Sequence, residues 1–407
     1  MFEYTLIAGL TASGADAYML HVTTTPSVAY VTRMDEFDCG VMISASHNPF
    51  YDNGIKLLNS QGEKMDEETI GYVEDYLDGK LELFGAQYPQ IPYAKKEKIG
   101  RTVDYVSGRN RYVGYLISIA SHSYKDLKIG LDCANGASYE IAPKVYEALG
   151  AKVTVIGNNP NGININDGCG STHPEKLAEN VKEVNADIGL AYDGDADRLI
   201  VVDEKGQVID GDRVIAICAR ILKEQGRLAE NKVTVTVMSN IGFHKAMKES
   251  DIEVEVTGVG DRYVLENMLS NGYAIGGEQS GHIIFLEHTT TGDGVMSSLQ
   301  LVKAMLKDGR TIAEMSDEIK IYPQVLVNAR IHNDHKKTYM NDPEVAAEIA
   351  AVEEAVAGNG RLLIRPSGTE PLVRVMIRYR MIHSLKSNMD IFPDYGTGFA
   401  KVDARLV

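Results

Sequence analysis

Cysteine is scarce in this chain. The four in 407 residues, Cys39, Cys133, Cys169 and Cys218, are scattered with no CxxC pair. That distribution argues against a disulfide framework and against a thiolate zinc site, and reduced, mostly buried thiols are expected. Basic charge is also short: 41 Lys plus Arg face 57 Asp plus Glu, a net charge of −16. A field of that sign repels nucleic acid and anionic membranes, so neither is expected as a partner, and a polyanionic ligand would need local basic pockets. Long hydrophobic runs are missing as well. Stretches such as Val214 to Ala219 stop well short of the ~18 to 20 residues needed to span a bilayer. Glu3 is acidic and no Lys or Arg precedes Arg33, so there is no signal-peptide n-region and a cytoplasmic address is expected.

What is present is an ordinary globular composition, 44% apolar and 24% charged, which excludes a disordered or collagen-like chain. At roughly 100 to 200 residues per domain the length predicts two to four domains. Short β-branched runs alternate with helix-period segments, the pattern of α/β domains with largely parallel sheets. Lys128 to Asp132, Ile141 to Leu149 and Lys152 to Ile156 read as one βαβ unit. Val233 to Val237, Phe243 to Glu249 and Glu253 to Thr257 repeat the order without repeating the residues. The lapse of periodicity between Gly79 and Gly100, the turn-rich Asp203 to Asp212 and the run Lys307 to Pro323 predict domain boundaries. The expected domains are 1–98, 99–205, 206–316 and 317–407. Phe2 to Ala12 reads as a helix with no strand before it to cross over from, and Arg378 to Val407 shows neither helical spacing nor alternation.

Asp193, Asp195 and Asp197 stand at i, i+2 and i+4 in DGDADR, between apolar runs. In an extended loop this spacing aims all three carboxylates one way. Three crowded anions need a cation, and an all-oxygen set suits Mg²⁺ or Ca²⁺ rather than zinc. An EF-hand is excluded, although Glu204 falls at its twelfth position, because Arg198 replaces the turn glycine and a hydrophobic strand replaces the loop. A solvated acidic turn is the bland alternative. Arg198, beside the acidic triplet, suits a phosphate group.

Three further segments carry chemistry. GVMISASHNPFYDNGIK, Gly40 to Lys56, leads a strand into a loop with Ser44, Ser46, His47 and Asn48, and Pro49 keeps Asn48 out of helical geometry, so the loop is expected to be extended. A serine there could carry a phosphate, but spacing alone does not choose between Ser44 and Ser46, and no GxSxG elbow is present. In GGEQSGH, Glu278, Ser280 and His282 alternate, so an extended loop puts them on one face. A carboxylate and a hydroxyl suit sugar hydroxyls, and a histidine can move a proton near neutral pH. RPSGTEP, Arg365 to Pro371, with Arg374 on the next strand, combines charge, hydroxyls and a permissive glycine, the makings of an anion nest or of a plain hairpin turn. TGVGDR, Thr257 to Arg262, is a glycine-rich turn that does not complete GxGxxG.

ASHNP, DGDADR, GEQSGH and RPSGTEP, in this order and one per expected domain, resemble the α-D-phosphohexomutases from Phe2 to about Ile377. Within that family ISASHNPFYDNGIK and NINDGCGSTHPE look most like the bacterial enzymes that act on amino-sugar phosphates. The resemblance implies an α/β fold of four domains around a central cleft, three related mixed α/β domains and a smaller α+β C-terminal one. It implies a mutase that interconverts glucosamine 6-phosphate and glucosamine 1-phosphate on the way to UDP-N-acetylglucosamine. Sister activities on mannose or glucose phosphates, or a catalytically weak sugar-phosphate binder, are the alternatives. Ser46 would be the phosphoserine and would share Mg²⁺ with Asp193, Asp195 and Asp197. Lys56 and His282 would assist proton transfer. His47, Arg198, Gly260, Asp261, Glu278, Ser280, Arg365, Ser367, Gly368, Thr369 and Arg374 would bind substrate. A sugar 1,6-bisphosphate would be intermediate and activator, a small sugar phosphate the partner, and a homodimer one of the assembly states open to the chain. The family's GTDGxRG segment is not among the residues, so the first domain is expected to be short of a strand and an arginine, and the last thirty or so residues do not resemble the family's closing helix.

Overall fold

The computed structural model describes residues 1–80, 93–332, 336, 338–357, 360–366, 372–379 and 403–406. Two compact units result: Met1–Ser239 with Ser250–Glu318, and Asn240–Glu249 with Ile319–Val407.

The first unit holds three layers in chain order. The first comprises α1 (Phe2–Ser13), β1 (Ala17–Met19), α2 (Thr25–Met34), β2 (Cys39–Ile43), β3 (Ile55–Asn59), α3 (Glu67–Leu77), β4 (Thr102–Asp104) and α4 (Val106–Ile119). Its strands form two separate pieces, β1 parallel to β4 and β2 antiparallel to β3. A cavity of about 1940 Å³ is lined by α1, β1 and β2 of this layer and by residues of the next such as Asn135 and Ile165, and α1 has no buried residue. The start of α2 is well determined by sequence: the Thr24 hydroxyl caps it by accepting from Ser27 N, and Pro26 occupies its first turn, where a missing N–H costs nothing.

The second layer is a five-stranded mixed sheet in the order β6-β5-β7-β8-β9. Its elements are β5 (Lys128–Asp132), α5 (Ile141–Ala148), β6 (Lys152–Ile156), α6 (Glu175–Val184), β7 (Ile188–Tyr192), β8 (Leu199–Asp203) and β9 (Val208–Ile209). Every residue of β7 and β8 is buried, which accounts for their continuous apolar runs. The expected βαβ unit is present to within one residue, whereas the turn-rich segment expected only as a boundary contains β9, which pairs with β8.

The third layer follows with α7 (Gly211–Glu224), β10 (Lys232–Thr236), β11 (Glu253–Thr257), α9 (Asp261–Asn271), β12 (Ile275–Gly277), β13 (Ile283–Phe285), α10 (Gly294–Asp308) and α11 (Ile312–Asp317); between β10 and β11 the chain forms α8 (Ile241–Glu249), which groups with the second unit. The sheet order is β11-β10-β12-β13, parallel except for the last pair. The run expected as a boundary after Lys307 contains α11, started by a capping box in which Thr311 and Glu314 satisfy each other's backbone N–H groups.

In the second unit β14 (Gln324–Arg330), α12 (Pro343–Val356), β15 (Gly360–Pro366), β16 (Leu372–Tyr379) and β17 (Asp403–Leu406) build a sheet in the order β15-β16-β14-β17. The tail, read from sequence as lacking structure, contributes β17, antiparallel to β14; a four-residue strand is too short to declare a period.

The first and third layers are tied together by a buried acid. Asp293 caps α10 by accepting from Met296 N at 2.9 Å and accepts the Tyr112 hydroxyl at 2.7 Å. Burial pushes its carboxyl up to about 6, against the pull of those hydrogen bonds. With a folded pKa above the unfolded value, the native chain binds more protons than the unfolded chain between about pH 4 and 6, so this group's contribution to stability falls as pH rises through that window. Asp293→Asn keeps a capping oxygen and should remove that contribution, on the order of 2 kcal/mol, which urea unfolding at pH 4, 5, 6 and 7 measures.

Candidate functional site

The acidic triplet sits in the turn that joins β7 to β8. Asp193, Asp195 and Asp197 are 0, 1 and 6% exposed, and one oxygen from each lies within 4.8 Å of the others. They converge for a different reason from the extended geometry expected. Ala196 N donates to Asp193 O at 3.0 Å, and Ala196 is left-handed at φ 56, so the chain turns around its own carboxylates. Asp195 Oδ1 and Asp197 Oδ1 are buried with no hydrogen-bond partner among the described residues. Buried anionic oxygens in that state fit a hard divalent cation.

The remaining carboxylate oxygens are occupied. Asp193 Oδ2 accepts the Ser46 hydroxyl at 2.7 Å, and its Oδ1 accepts Arg198 N at 3.1 Å. Lys56 Nζ lies 2.5 Å from Asp195 Oδ2 and 3.0 Å from Asp197 Oδ2. Thr25 donates its hydroxyl to Asp195 Oδ2 and its N–H to Asp195 O at 3.1 Å. Charge follows this arrangement. Burial, then the neighbouring Asp197 and Asp195, push the Asp193 carboxyl well up. For Asp197 burial pushes upward too, but His282, Lys56 and Arg198 win and hold it well below the usual carboxylate range. Burial would depress the Lys56 ammonium, yet Asp197 and Asp195 raise it.

The serine loop is a turn rather than an extended segment. Asn48 N donates to Ala45 O at 3.1 Å, and Ser46 itself is left-handed at φ 56, a sparsely populated state for a residue with a side chain. Three residues hold it there: Ser46 N donates to Ser44 Oγ at 2.9 Å, Asn166 Nδ2 donates to the carbonyls of Ser46 and Asn48, both at 2.9 Å, and Ser46 Oγ reaches Asp193. Geometry thus separates two serines that spacing could not: Ser44 orients and Ser46 faces the triad. Gly194 must be glycine, because a Cβ there would come within 2.5 Å of Ser46 O. His47 Nδ1 is 3.4 Å from Ser46 Oγ, and burial followed by Arg198 lowers its pKa.

The third layer closes on the same turn. Leu199 N donates to Gly281 O at 3.0 Å, and a Cβ on Gly281 would meet Leu199 O at 2.2 Å. The GEQSGH segment is itself tight, with Gly281 N bonded to Glu278 O, so its three side chains do not share one face. Ser280 is exposed and its hydroxyl lies 3.5 Å from the half-buried Glu278 carboxylate, whereas His282 is 3% exposed and turns inward. His282 Nδ1 is 3.8 Å from Asp197 Oδ1 and Nε2 is 3.5 Å from Asp261 Oδ2. Burial disfavours its charge, but those carboxylates prevail and raise its pKa. The 2.9 Å bond from Gly292 N to Nε2 belongs to the neutral ring. Asp261, after Gly260 at φ 135, a backbone state that favours glycine, is also gripped by Lys64 Nζ at 2.6 Å. Arg198 Nε is 3.9 Å from Asp197 Oδ1.

In the second unit Arg365 on β15 stands directly opposite Arg374 on β16. Ser367, Gly368 and Thr369 lie outside the described residues. Thr25, Asn166, Lys64 and Gly292 were missed by sequence reasoning as parts of the site. Thr25 had a readable signal as the start of a capped, proline-marked helix, and Asn166 lies inside the quoted NINDGCG run, but nothing local says what either one touches.

Comparison with known proteins adds to this geometry. Residues 1–82, 110–206 and 210–322 match the models of phosphoglucomutase/phosphomannomutase alpha/beta/alpha domains I, II and III, and residues 326–378 match the C-terminal domain of the same family. A phosphoglucosamine mutase of Lachnospira eligens is 54% identical over 377 residues, 93% of this chain and 82% of that one. Among solved structures, a phosphoglucomutase/phosphomannomutase family protein of Burkholderia thailandensis superposes with a TM-score of 0.77 at 21% identity, covering 96% of this chain and 84% of that one. An Aspergillus fumigatus N-acetylphosphoglucosamine mutase in complex with GlcNAc-6P and magnesium gives 0.67 at 17% identity, covering 93% and 95%. The two structures support the fold alone, and the specific identity rests on the sequence relative and on four domain matches in order. With its serine, acidic triplet and lysine gathered in one place, the chain belongs to the phosphoglucosamine mutases of the phosphoglucomutase/phosphomannomutase family.

Proposed function

We propose that this chain interconverts glucosamine 6-phosphate and glucosamine 1-phosphate by way of a phosphoserine at Ser46 and a sugar 1,6-bisphosphate, which also serves as activator. The observation that carries the reading is the Ser46 hydroxyl set 2.7 Å from Asp193 inside the acidic triplet. In the first half-reaction the bond from phosphorus to Ser46 Oγ breaks as one to the free sugar hydroxyl forms, and the hydroxyl proton leaves to a protein base. In the second, Ser46 Oγ regains a phosphoryl group from the other end of the turned bisphosphate and the freed sugar oxygen is protonated. Lys56 and His282 handle these protons; His282 lies against Asp197 and Asp261, which stabilise its protonated state.

Asp193, Asp195 and Asp197, with a phosphoserine oxygen at Ser46, would hold Mg²⁺, which when bound neutralises charge on the transferring group. Arg198 and His47 face that group. Glu278 and Ser280, 3.5 Å apart, suit sugar hydroxyls, as do Gly260 and Asp261, the latter 3.5 Å from His282. Arg365, Ser367, Gly368, Thr369 and Arg374 take the phosphate that is not transferred; two arginines directly across a strand pair suit an anion. The functional parts follow domains 1–98, 99–205, 206–316 and 317–407. A cytoplasmic site of action, in supply of UDP-N-acetylglucosamine, accords with the substrate and with the fact that among the described residues no helix is long and apolar enough to cross a membrane.

Three measurements test this. Phosphopeptide mapping after incubation with the sugar bisphosphate should place the phosphate on Ser46, and Ser46→Ala should abolish transfer; phosphate on Ser44, or normal turnover by Ser46→Ala, would remove the assignment. Asp195→Asn takes one charge from the triplet and should slow transfer by about 10²-fold or more while weakening Mg²⁺. Turnover compared on glucosamine, glucose and mannose 1-phosphates should favour the amino sugar, and equal rates would move the activity to a sister phosphohexomutase.

A further inference from the structure

A carboxylate has two oxygens, and a cation site needs the correct one presented. Asp195 is the middle residue of the triplet and 1% exposed. Its Oδ2 takes two donors, the Lys56 ammonium at 2.5 Å and the Thr25 hydroxyl. Its Oδ1, equally buried, has no hydrogen-bond partner among the described residues. The Thr25 backbone N–H also holds the Asp195 carbonyl at 3.1 Å. One residue of the first layer therefore grips both the main chain and the side chain of a carboxylate 170 positions away.

Thr25 is well placed to be rigid. It begins α2, is 3% exposed, and follows the capping residue Thr24, whose hydroxyl accepts Ser27 N at 3.2 Å; Pro26 next to it has a ring-fixed φ. A β-branched side chain has few rotamers, so its hydroxyl is held in place before any ligand arrives. Lysine cannot supply this orientation alone, because an ammonium on a four-carbon stem is a rotatable point charge.

We propose that Thr25 is a positioning residue of the triad: its hydroxyl ties down Asp195 Oδ2 so that Oδ1 is the oxygen offered to the cation. The proposal rests on the reading of the triad as a metal site, and outer hydrogen bonds of this kind typically change metal affinity 10–100-fold. Thr25→Val keeps the shape and the backbone bond and removes only the hydroxyl.

The test is Mn²⁺ binding to the full, substrate-free chain, followed by electron paramagnetic resonance of free Mn²⁺, with melting temperatures of the metal-free proteins measured alongside. Wild type should bind Mn²⁺ and Asp195→Asn should bind it poorly. Thr25→Val should bind about 10-fold or more weakly, and Thr25→Ser, which restores a hydroxyl, should return close to wild type with the same metal-free melting temperature. If wild type binds no Mn²⁺, the metal reading itself falls and the role of Thr25 with it. If wild type binds and Thr25→Val binds equally well, only the role of Thr25 falls. It falls too if valine and serine weaken binding alike. Thr25→Ala repeats the deletion should valine not fold, and failure of both to fold would overturn the proposal by making Thr25 a residue of the fold alone.

Discussion

A carboxylate leaves water reluctantly, and three of them within 4.8 Å at 0 to 6% exposure repel one another as well as lose hydration. The turn from Asp193 to Asp197 persists because the surroundings supply positive charge and donors. Lys56 bridges two of the acids, Ser46 and the Arg198 N–H cap the third, and Thr25 takes a share of Asp195. That compensation is incomplete, since two buried oxygens keep no hydrogen-bond partner among the described residues. An acidic cluster so nearly balanced is suited to hold a cation without being destroyed in its absence.

The need to balance these charges explains why three layers meet at one turn. The first layer delivers cationic and hydroxyl groups from the β2–β3 hairpin and the start of α2. The second supplies the acids between two fully buried strands, which fix the ends of the turn. The third brings His282, and Gly294 N bonds to Ala196 O at 3.0 Å inside the turn. Such close approach leaves no room for side chains, as at Gly194 beneath Ser46. Ser46 is held in a strained backbone state by Ser44, Asn166 and Asp193 together, so the orientation of its hydroxyl is a property of the assembled layers.

Much of this was legible in the residues alone. β7 and β8 could be read from unbroken apolar runs because both faces of those strands are buried. The βαβ unit around Ile141 was readable because its periods are clean and Gly150 punctuates it. Short elements were not: β9, α11 and β17 have two, six and four residues, too few to show a period, although the Thr311 and Glu314 capping box was available as a signal for α11. The loops carrying chemistry were placed correctly but given the wrong shape. Pro49 suggested an extended segment at Ser46 and alternate spacing suggested extended loops at Asp195 and Ser280, whereas all three are turns stabilised by their own backbone hydrogen bonds.

By itself the sequence determined which residue types stand at which spacing: a serine before His-Asn-Pro, three acids on alternate positions, a carboxylate with a hydroxyl, and paired arginines. Those choices are local, and they suit phosphate, sugar hydroxyls and a hard cation. Only the tertiary structure decided that Ser46 rather than Ser44 faces the acids, that His282 turns inward while Ser280 remains exposed, and that Thr25 and Asn166 belong to the site. The reason is physical: orientation of a side chain depends on which donors and carbonyls reach it from other elements, up to 170 residues away, and no spacing within a single segment carries that information.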